Sequence, residues 1–390
     1  MSEWKKVKFL DVVHLNPRIS LEKGVEYPFV EMSNVVPCAR KPEKDVFKKY
    51  LGEGTKFEQG DTIVARIEPC LQNGKGFQCS YKQGFGSTEF LVFRPVNIND
   101  LDCDFLYYYM GQQSIREAMA KTMVGASGRQ RVNNKVFNDL QINLPPLSTQ
   151  HCIANILSRY DSLIENYQKQ IKLLEEAAQR LYKEWFIDLH FPEHENTKIV
   201  DGVPEGWEKK SIGEIGEYLN GFAFKPSDWQ ELGKPIIKIK EMGNGVTNDT
   251  PRNNGERVPA KYLIKAGDLL FSWSATLMVI IWSGEDGWLN QHLFKVTPAK
   301  GINREFLLQS ISNTIVEFQN LTTGSTMKHI QRNKLDQVFV NVPNAEIMKR
   351  YSDISEKTRS NILSLQSQLR LLTEARDRLL PKLMSGEITV

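Results

Sequence analysis

Hydrophobic positions fall into a heptad between residues 160 and 185: Tyr160, Ile164, Tyr167, Ile171, Leu174, Ala178, Leu181 and Trp185, in alternating steps of four and three. That spacing makes a narrow apolar seam on one face of a helix. Gln168, Lys169, Lys172, Glu175, Glu176 and Lys183 occupy the remaining faces. Such a helix cannot bury its own seam, and the chain carries a second one: Thr358, Ile362, Leu365, Leu369, Leu372, Arg376 and Leu379. The two align without a gap. Leu173-Leu174-Glu175-Glu176-Ala177 lies over Leu371-Leu372-Thr373-Glu374-Ala375, an offset of 198 (371 − 173). Because both seams lie in one chain and match in length, an intramolecular pair needs no other subunit. Arg376, aligned with Ala178, departs from the apolar pattern. Either its stem reaches the seam's edge, or an acidic group of a partner docks there.

The rest of the chain is arranged around that duplication. Residues 1–146 predict one domain, with strand-like runs at 29–32 and 62–67 broken by turn signals at 52–54, Gly60-Asp61, Asn73-Gly74 and 84–86. A helix is expected over 105–119 and a closing strand over 137–144, stopped by Pro145-Pro146. The first long helix is assigned to 148–187, with Ser148 or Thr149 as its N-cap, and is ~55 Å long. Residues 188–205 read as a linker. A second domain, 206–343, restarts at Trp207 in the manner of Trp4. Pro235-Ile236-Ile237 lies over Pro28-Phe29-Val30, Gly267-Asp268 over Gly60-Asp61, and Phe306-Leu307 over Phe105-Leu106. The second long segment is 344–385, its helix expected to stop at Pro381 before a tail through Gly386. The fold class is α+β: two repeated globular domains, each a mixed and mostly antiparallel sheet with helices, and each followed by a long helix. The repeated positions are apolar or turn-forming, and the residues between them differ. This fits either two versions of one task with two specificities or a duplicated structural domain with neutral loop drift.

Composition narrows the classes. A chain of 390 residues with 41% hydrophobic content sustains two or three domains with real cores. A formal charge of +3 neither announces nor excludes nucleic acid. Five cysteines (Cys38, Cys70, Cys79, Cys103 and Cys152) without a Cys-x-x-Cys read as reduced thiols of a cytoplasmic protein. His190 and His194 have metal-like spacing, but Pro192 between them favours a solvated linker, and no metal site is assigned. The N-terminus lacks an apolar core of signal length. The longest apolar run, 277–282, is far short of the ~20 residues that span a bilayer.

Several stretches together carry a family resemblance: Leu144-Pro145-Pro146-Leu147, Tyr182-Lys183-Glu184-Trp185-Phe186, Pro204-Glu205-Gly206-Trp207, and Leu379-Leu380-Pro381-Lys382-Leu383-Met384-Ser385-Gly386-Glu387-Ile388. In this order, and over essentially the whole chain, they resemble the specificity (S) subunit of Type I restriction–modification systems. The resemblance implies that each globular half is a target recognition domain reading one part of a bipartite, asymmetric site in double-stranded DNA. It implies an antiparallel helix pair acting as spacer. Two methyltransferase (M) subunits would dock on it and methylate adenine N6 with S-adenosylmethionine. Restriction (R) subunits would use ATP and Mg. The S subunit itself would catalyse nothing and hold no cofactor. Other readings are a duplicated DNA-binding or scaffold protein that reads no sequence, and an enzyme with an unrecognised site in 207–343.

The residues agree with a binding role. The only Pro-Pro is flanked by leucines, so the Asn/Asp-Pro-Pro-aromatic loop that holds a flipped adenine is absent. There is also no phosphate-binding Gly-x-x-x-x-Gly-Lys-Ser/Thr. Reading DNA requires Arg, Lys, Asn or Gln at base edges and cations on phosphates. Two loops of that composition each precede a closing strand: 125–134, with Ser127, Arg129, Gln130, Arg131, Asn133 and Asn134, and 324–333, with Lys328, His329, Gln331 and Arg332. The bland reading of both is a solvated loop. Further candidates are Arg66, Gln72, Asn73 and Lys75 in the first half, and Trp273, Asn290, Gln291 and His292 in the second. Arg66 and Trp273 occupy matching positions after the two Gly-Asp turns (273 − 66 = 207). Trp273 fits the core equally well.

Overall fold

Strand order is the same in the two units of the chain, residues 1–166 with 371–390 and residues 167–370. The computed structural model describes residues 4–126, 128–321 and 332–390. In the first unit one four-stranded sheet runs Val13–Leu15, Phe90–Pro95, Thr62–Ala65, Gly76–Gln78, and the other runs Phe47–Lys49, Glu26–Val30, Gln83–Gly86, Thr55–Glu58. In the second unit the corresponding orders are Gly216–Asn220, Leu293–Pro298, Leu269–Ser272, Met278–Ile281 and Arg252–Asn253, Lys234–Ile237, Gly287–Leu289, Leu263–Ile264. Each unit also closes its opening strand on its last one: Lys5–Lys8 on Gln141–Leu144, and Glu208–Ser211 on Phe339–Val342. Pairing between these strands is antiparallel except at one place in each unit. Glu26–Val30 runs parallel to Gln83–Gly86, and Lys234–Ile237 runs parallel to Gly287–Leu289. This is the mixed, mostly antiparallel α+β architecture expected.

The duplicated Gly-Asp turn is a structural device. Asp61, fully buried, accepts the Glu58 backbone N–H at 2.8 Å and two guanidinium bonds from Arg94, at 2.6 and 2.8 Å. Asp268 accepts the Lys265 N–H at 2.8 Å and the Lys295 ammonium at 2.7 Å. In both units the carboxylate caps the turn and takes a cation from the next strand of the sheet, and a buried carboxylate needs such a cation.

Five local expectations are corrected. The glycines at 84–86 do not make a turn; they lie in the strand Gln83–Gly86. A Cβ at Gly84 would come within 2.6 Å of the Phe57 ring, and one at the matching Gly287 within 2.7 Å of Ile237 Cγ1, so glycine there serves close packing. The helix expected over 105–119 is two, Cys103–Met110 and Gln113–Ala120, interrupted at Gly111 and started by the Asp102 carboxylate accepting the Phe105 N–H. The stretch 137–144 opens with the short helix Val136–Asp139, which buries Phe137 against Phe9 and Phe93 before the strand begins. The first long helix begins at Leu147, ahead of Ser148 and Thr149, with the Pro146 carbonyl accepting the N–H groups of Thr149 and Gln150. It runs to Tyr182 and ends in a π-helical turn, Lys183–Ile187. The second runs Ala345–Ser385 and continues through Pro381.

None of the seam positions is exposed on either helix. In the first unit, Ile153 and Leu157 share a core with Leu383 and Met384, and Asp161 binds Arg376. In the second, the Trp185 and Tyr351 rings lie 6.0 Å apart. In the first unit rising numbers on one helix thus meet falling numbers on the other, an antiparallel pairing. The first unit's core gathers Phe9, Phe93, Phe105 and Phe137, and the second's gathers Phe186, Phe271, Phe306 and Phe318.

Candidate nucleic-acid interface

In the first unit the strand Thr62–Ala65 delivers its chain to Arg66, and the 125–134 loop lies against that exit. The Val132 N–H donates to the Arg66 carbonyl at 2.9 Å, the Glu68 N–H donates to the Gln130 carbonyl at 3.0 Å, and Ile67 bridges Arg131. These main-chain bonds hold Gln130, Arg131 and Val132 of the loop against Arg66, Ile67 and Glu68. The side chains along these segments are held differently. Arg129 is exposed and has no side-chain partner among the described residues. Arg131 is gripped by Glu89 through bonds of 2.6–3.0 Å, and that carboxylate raises its pKa. Arg66 Nη2 reaches the Val132 carbonyl at 3.4 Å, whereas its buried Nε and the buried Oδ1 of Asn134 have no hydrogen-bond partner among the described residues. Gln72 Nε2 donates to Glu68 at 2.9 Å, and Asn73 is exposed in the adjoining turn.

Lys75 is placed elsewhere. Its ammonium donates to the Met32 carbonyl at 2.8 Å. It lines a cavity of about 340 Å³ with Thr62, Tyr108, Arg116 and Arg376. Ser127, Lys328, His329 and Gln331 lie outside the described residues, and Arg332 is exposed at the start of the helical turn Arg332–Gln337.

In the second unit Trp273 follows the strand Leu269–Ser272 as Arg66 follows its own. Its ring sits between the core and the surface, 6.0 Å from Phe294 on one side and 6.0 Å from His292 on the other, and its Nε1–H donates to Asn220 Oδ1 at 3.3 Å. His292 is exposed, within 3.3 Å of Ser274 Oγ and 3.5 Å of Gln291 Nε2. Asn290 is buried, and its Oδ1 accepts the His292 N–H at 3.3 Å, which shapes the turn that presents Gln291 and His292. Sequence reading missed Glu89, Asn220 and Ser274. No spacing marks them, because each reaches its partner across strands.

Arg376 also resolves. It is buried in the seam and binds acids of its own chain: Asp161 Oδ1 at 2.9 Å and Asp377 Oδ1 at 2.9 and 3.0 Å, with the Cys38 carbonyl at 3.3 Å. Burial works against its charge, but the two carboxylates outweigh it and its pKa is raised. Tyr108 donates to the other oxygen of Asp161 at 2.6 Å, and burial followed by that carboxylate pushes the phenol's pKa up.

The family described as Type I restriction modification DNA specificity domain matches residues 1–176 and 204–369. The chain belongs to this family: it is a non-catalytic DNA sequence-recognition subunit of the Type I restriction–modification class. It is 24% identical to the Type I restriction enzyme HindI specificity subunit of Haemophilus influenzae over the full length of both chains. It is likewise 24% identical to the MjaIX specificity subunit of Methanocaldococcus jannaschii over 74% of this chain and 69% of that one. The crystal structure of the S subunit from M. genitalium shares its fold, with a TM-score of 0.55 and 17% identity over 98% of this chain and 96% of that one. No helix among the described residues is long and apolar enough to cross a membrane.

Proposed function

We propose that each half reads one part of a split, asymmetric site in double-stranded DNA, through Arg66 and the 125–134 loop in the first half and through Trp273, Gln291 and His292 in the second. The observation that carries this is the shared placement. In each unit the residue leaving the strand after the Gly-Asp turn stands among polar side chains supplied by neighbouring loops. The scaffold is duplicated and the side chains at that place are not, which favours two different half-sites over a palindrome. Arg129 and its neighbours would supply phosphate contacts, giving affinity that falls with salt, while amide and guanidinium groups at base edges would supply sequence.

Two M subunits docking on the helix pair would then methylate adenine N6 with S-adenosylmethionine, and R subunits using ATP and Mg would add restriction. The helix pair would hold the half-sites at one spacing. The test is to co-express the chain with its neighbouring M subunit and map N6-methyladenine across the host DNA. A split, asymmetric motif that disappears when this chain is deleted is the expected result. Methylation that is absent, or unchanged without it, would leave a scaffold that does not read sequence.

A further inference from the structure

The helix seam repeats one heptad pattern, but its buried charges are not repeated. At the offset of 198, Asp161 corresponds to Arg359 and Ala178 to Arg376 (359 − 161 and 376 − 178). In the first unit Asp161 and Arg376 face each other at 2.9 Å, with side chains only 8% and 11% exposed. In the second unit the corresponding positions hold Arg359 and Ala178. Arg359 turns to Glu305 instead, with bonds of 2.8 and 3.0 Å, and Gln309 Nε2 donates to the same carboxylate at 2.9 Å. Ala178 is buried and carries no charge.

The repeat would permit other pairings. Two first halves, helix against helix, would set Asp161 opposite Ala178 and strip the carboxylate of its cation. Two second halves would set Arg359 opposite Arg376, two buried guanidinium groups face to face, each keeping only the carboxylate of its own half, Glu305 and Asp377, while Arg376 loses Asp161. Removing one partner of a buried ion pair costs far more than deleting both. We infer that the buried charges make this seam heterotypic: the first-half helix accepts the second-half helix and rejects a copy of itself. The inference does not rest on the DNA reading. Its consequence is that any assembly built on this scaffold carries one copy of each globular half.

A protease site in the exposed turn at Asp201-Gly202, between strands Ile199–Val200 and Val203–Pro204, would nick the full chain between its halves. After passage through denaturant and back, native mass spectrometry reads which halves pair. The heterotypic complex is expected in excess by about 100-fold or more; a statistical mixture overturns the inference. The double variant D161L/R376A removes the unmatched charge from both homotypic pairings, so homotypic complexes are expected to appear. If they stay absent, the charges do not make the choice. In the uncut chain, R376A should lower the melting temperature and D161L/R376A should recover most of the loss. An unchanged melting temperature for R376A also overturns the inference.

Discussion

Arg129 and Arg131 are two residues apart and carry the same side chain, yet they bring different charge to a phosphate backbone. Arg129 offers a whole cation. Arg131 is already neutralised by Glu89, so DNA must compete with a bidentate carboxylate for it. R129A should weaken binding to all sequences alike and reduce the slope of log affinity against log salt by about one, as removal of one phosphate contact does. R131A should do less. E89Q should strengthen binding to random DNA, because it frees a cation. Fluorescence anisotropy over a salt series separates the three, and equal effects from R129A and R131A would remove the assigned role of Glu89. The thiols offer a second check on the structure. Cys79 and Cys103 are pushed up to about 12 and about 11, mainly by burial, so both stay protonated and unreactive near pH 8. Alkylation followed by mass spectrometry should label the exposed Cys38 and Cys152 in the folded chain, and Cys79 and Cys103 only after unfolding. The basic and amide-rich character of 125–134 was legible in the sequence, because composition is local. Glu89 was not, because it lies 42 positions from Arg131 along the chain and meets it only once the intervening strands are folded.

The long helices show the same division on a larger scale. Their seam was readable because a 3.5-residue period is written in consecutive residues. The helix starts and the path through Pro381 were not, because turn residues and prolines set preferences that the surrounding packing overrides. The ion pairs Asp61–Arg94 and Glu305–Arg359 were also hidden, since nothing local links their members. Ile362, fully buried in the seam, should cost about 2–5 kcal/mol when cut to alanine, measured by denaturant unfolding. Glu175 gives the helix a pH dependence. Burial raises its pKa, and Glu305 adds to that while Arg359 opposes it. A carboxyl whose folded pKa is raised contributes stability that is complete below its unfolded value. That stability is lost as pH rises through the folded value. E175Q should therefore match the parent at pH ~4 and melt higher at pH ~7. A variant less stable than the parent at neutral pH would mean that the charged form is the one the helix favours.

For the whole molecule, the proposed division of labour can be tested by changing length without changing chemistry. The helix Leu147–Tyr182 contributes residues 147–166 to one unit and 167–182 to the other, and Ala345–Ser385 contributes 371–385 and 345–370 in turn. Inserting one heptad after residue 167 and one after residue 369 keeps the seam in phase. It also leaves Asp161 with Arg376 and Arg359 with Glu305. Seven residues add ~10.5 Å of helix, and one strand of DNA advances ~3.4 Å per base, so the tolerated spacer should lengthen by about three base pairs. Both half-sites should be unchanged, because no loop has been altered. Exchanging residues 1–146 for the matching domain of a relative should do the converse: one half-site changes, while the spacer and the other half-site stay. Methylation mapping reads both experiments in the same way. A heptad insertion that leaves the spacer fixed would show that protein–DNA contacts, rather than helix length, set the distance. A domain exchange that alters both half-sites would show that the two halves do not read independently. If both expectations hold, specificity resides in loops whose sequences diverge, and spacing resides in a scaffold whose sequence repeats.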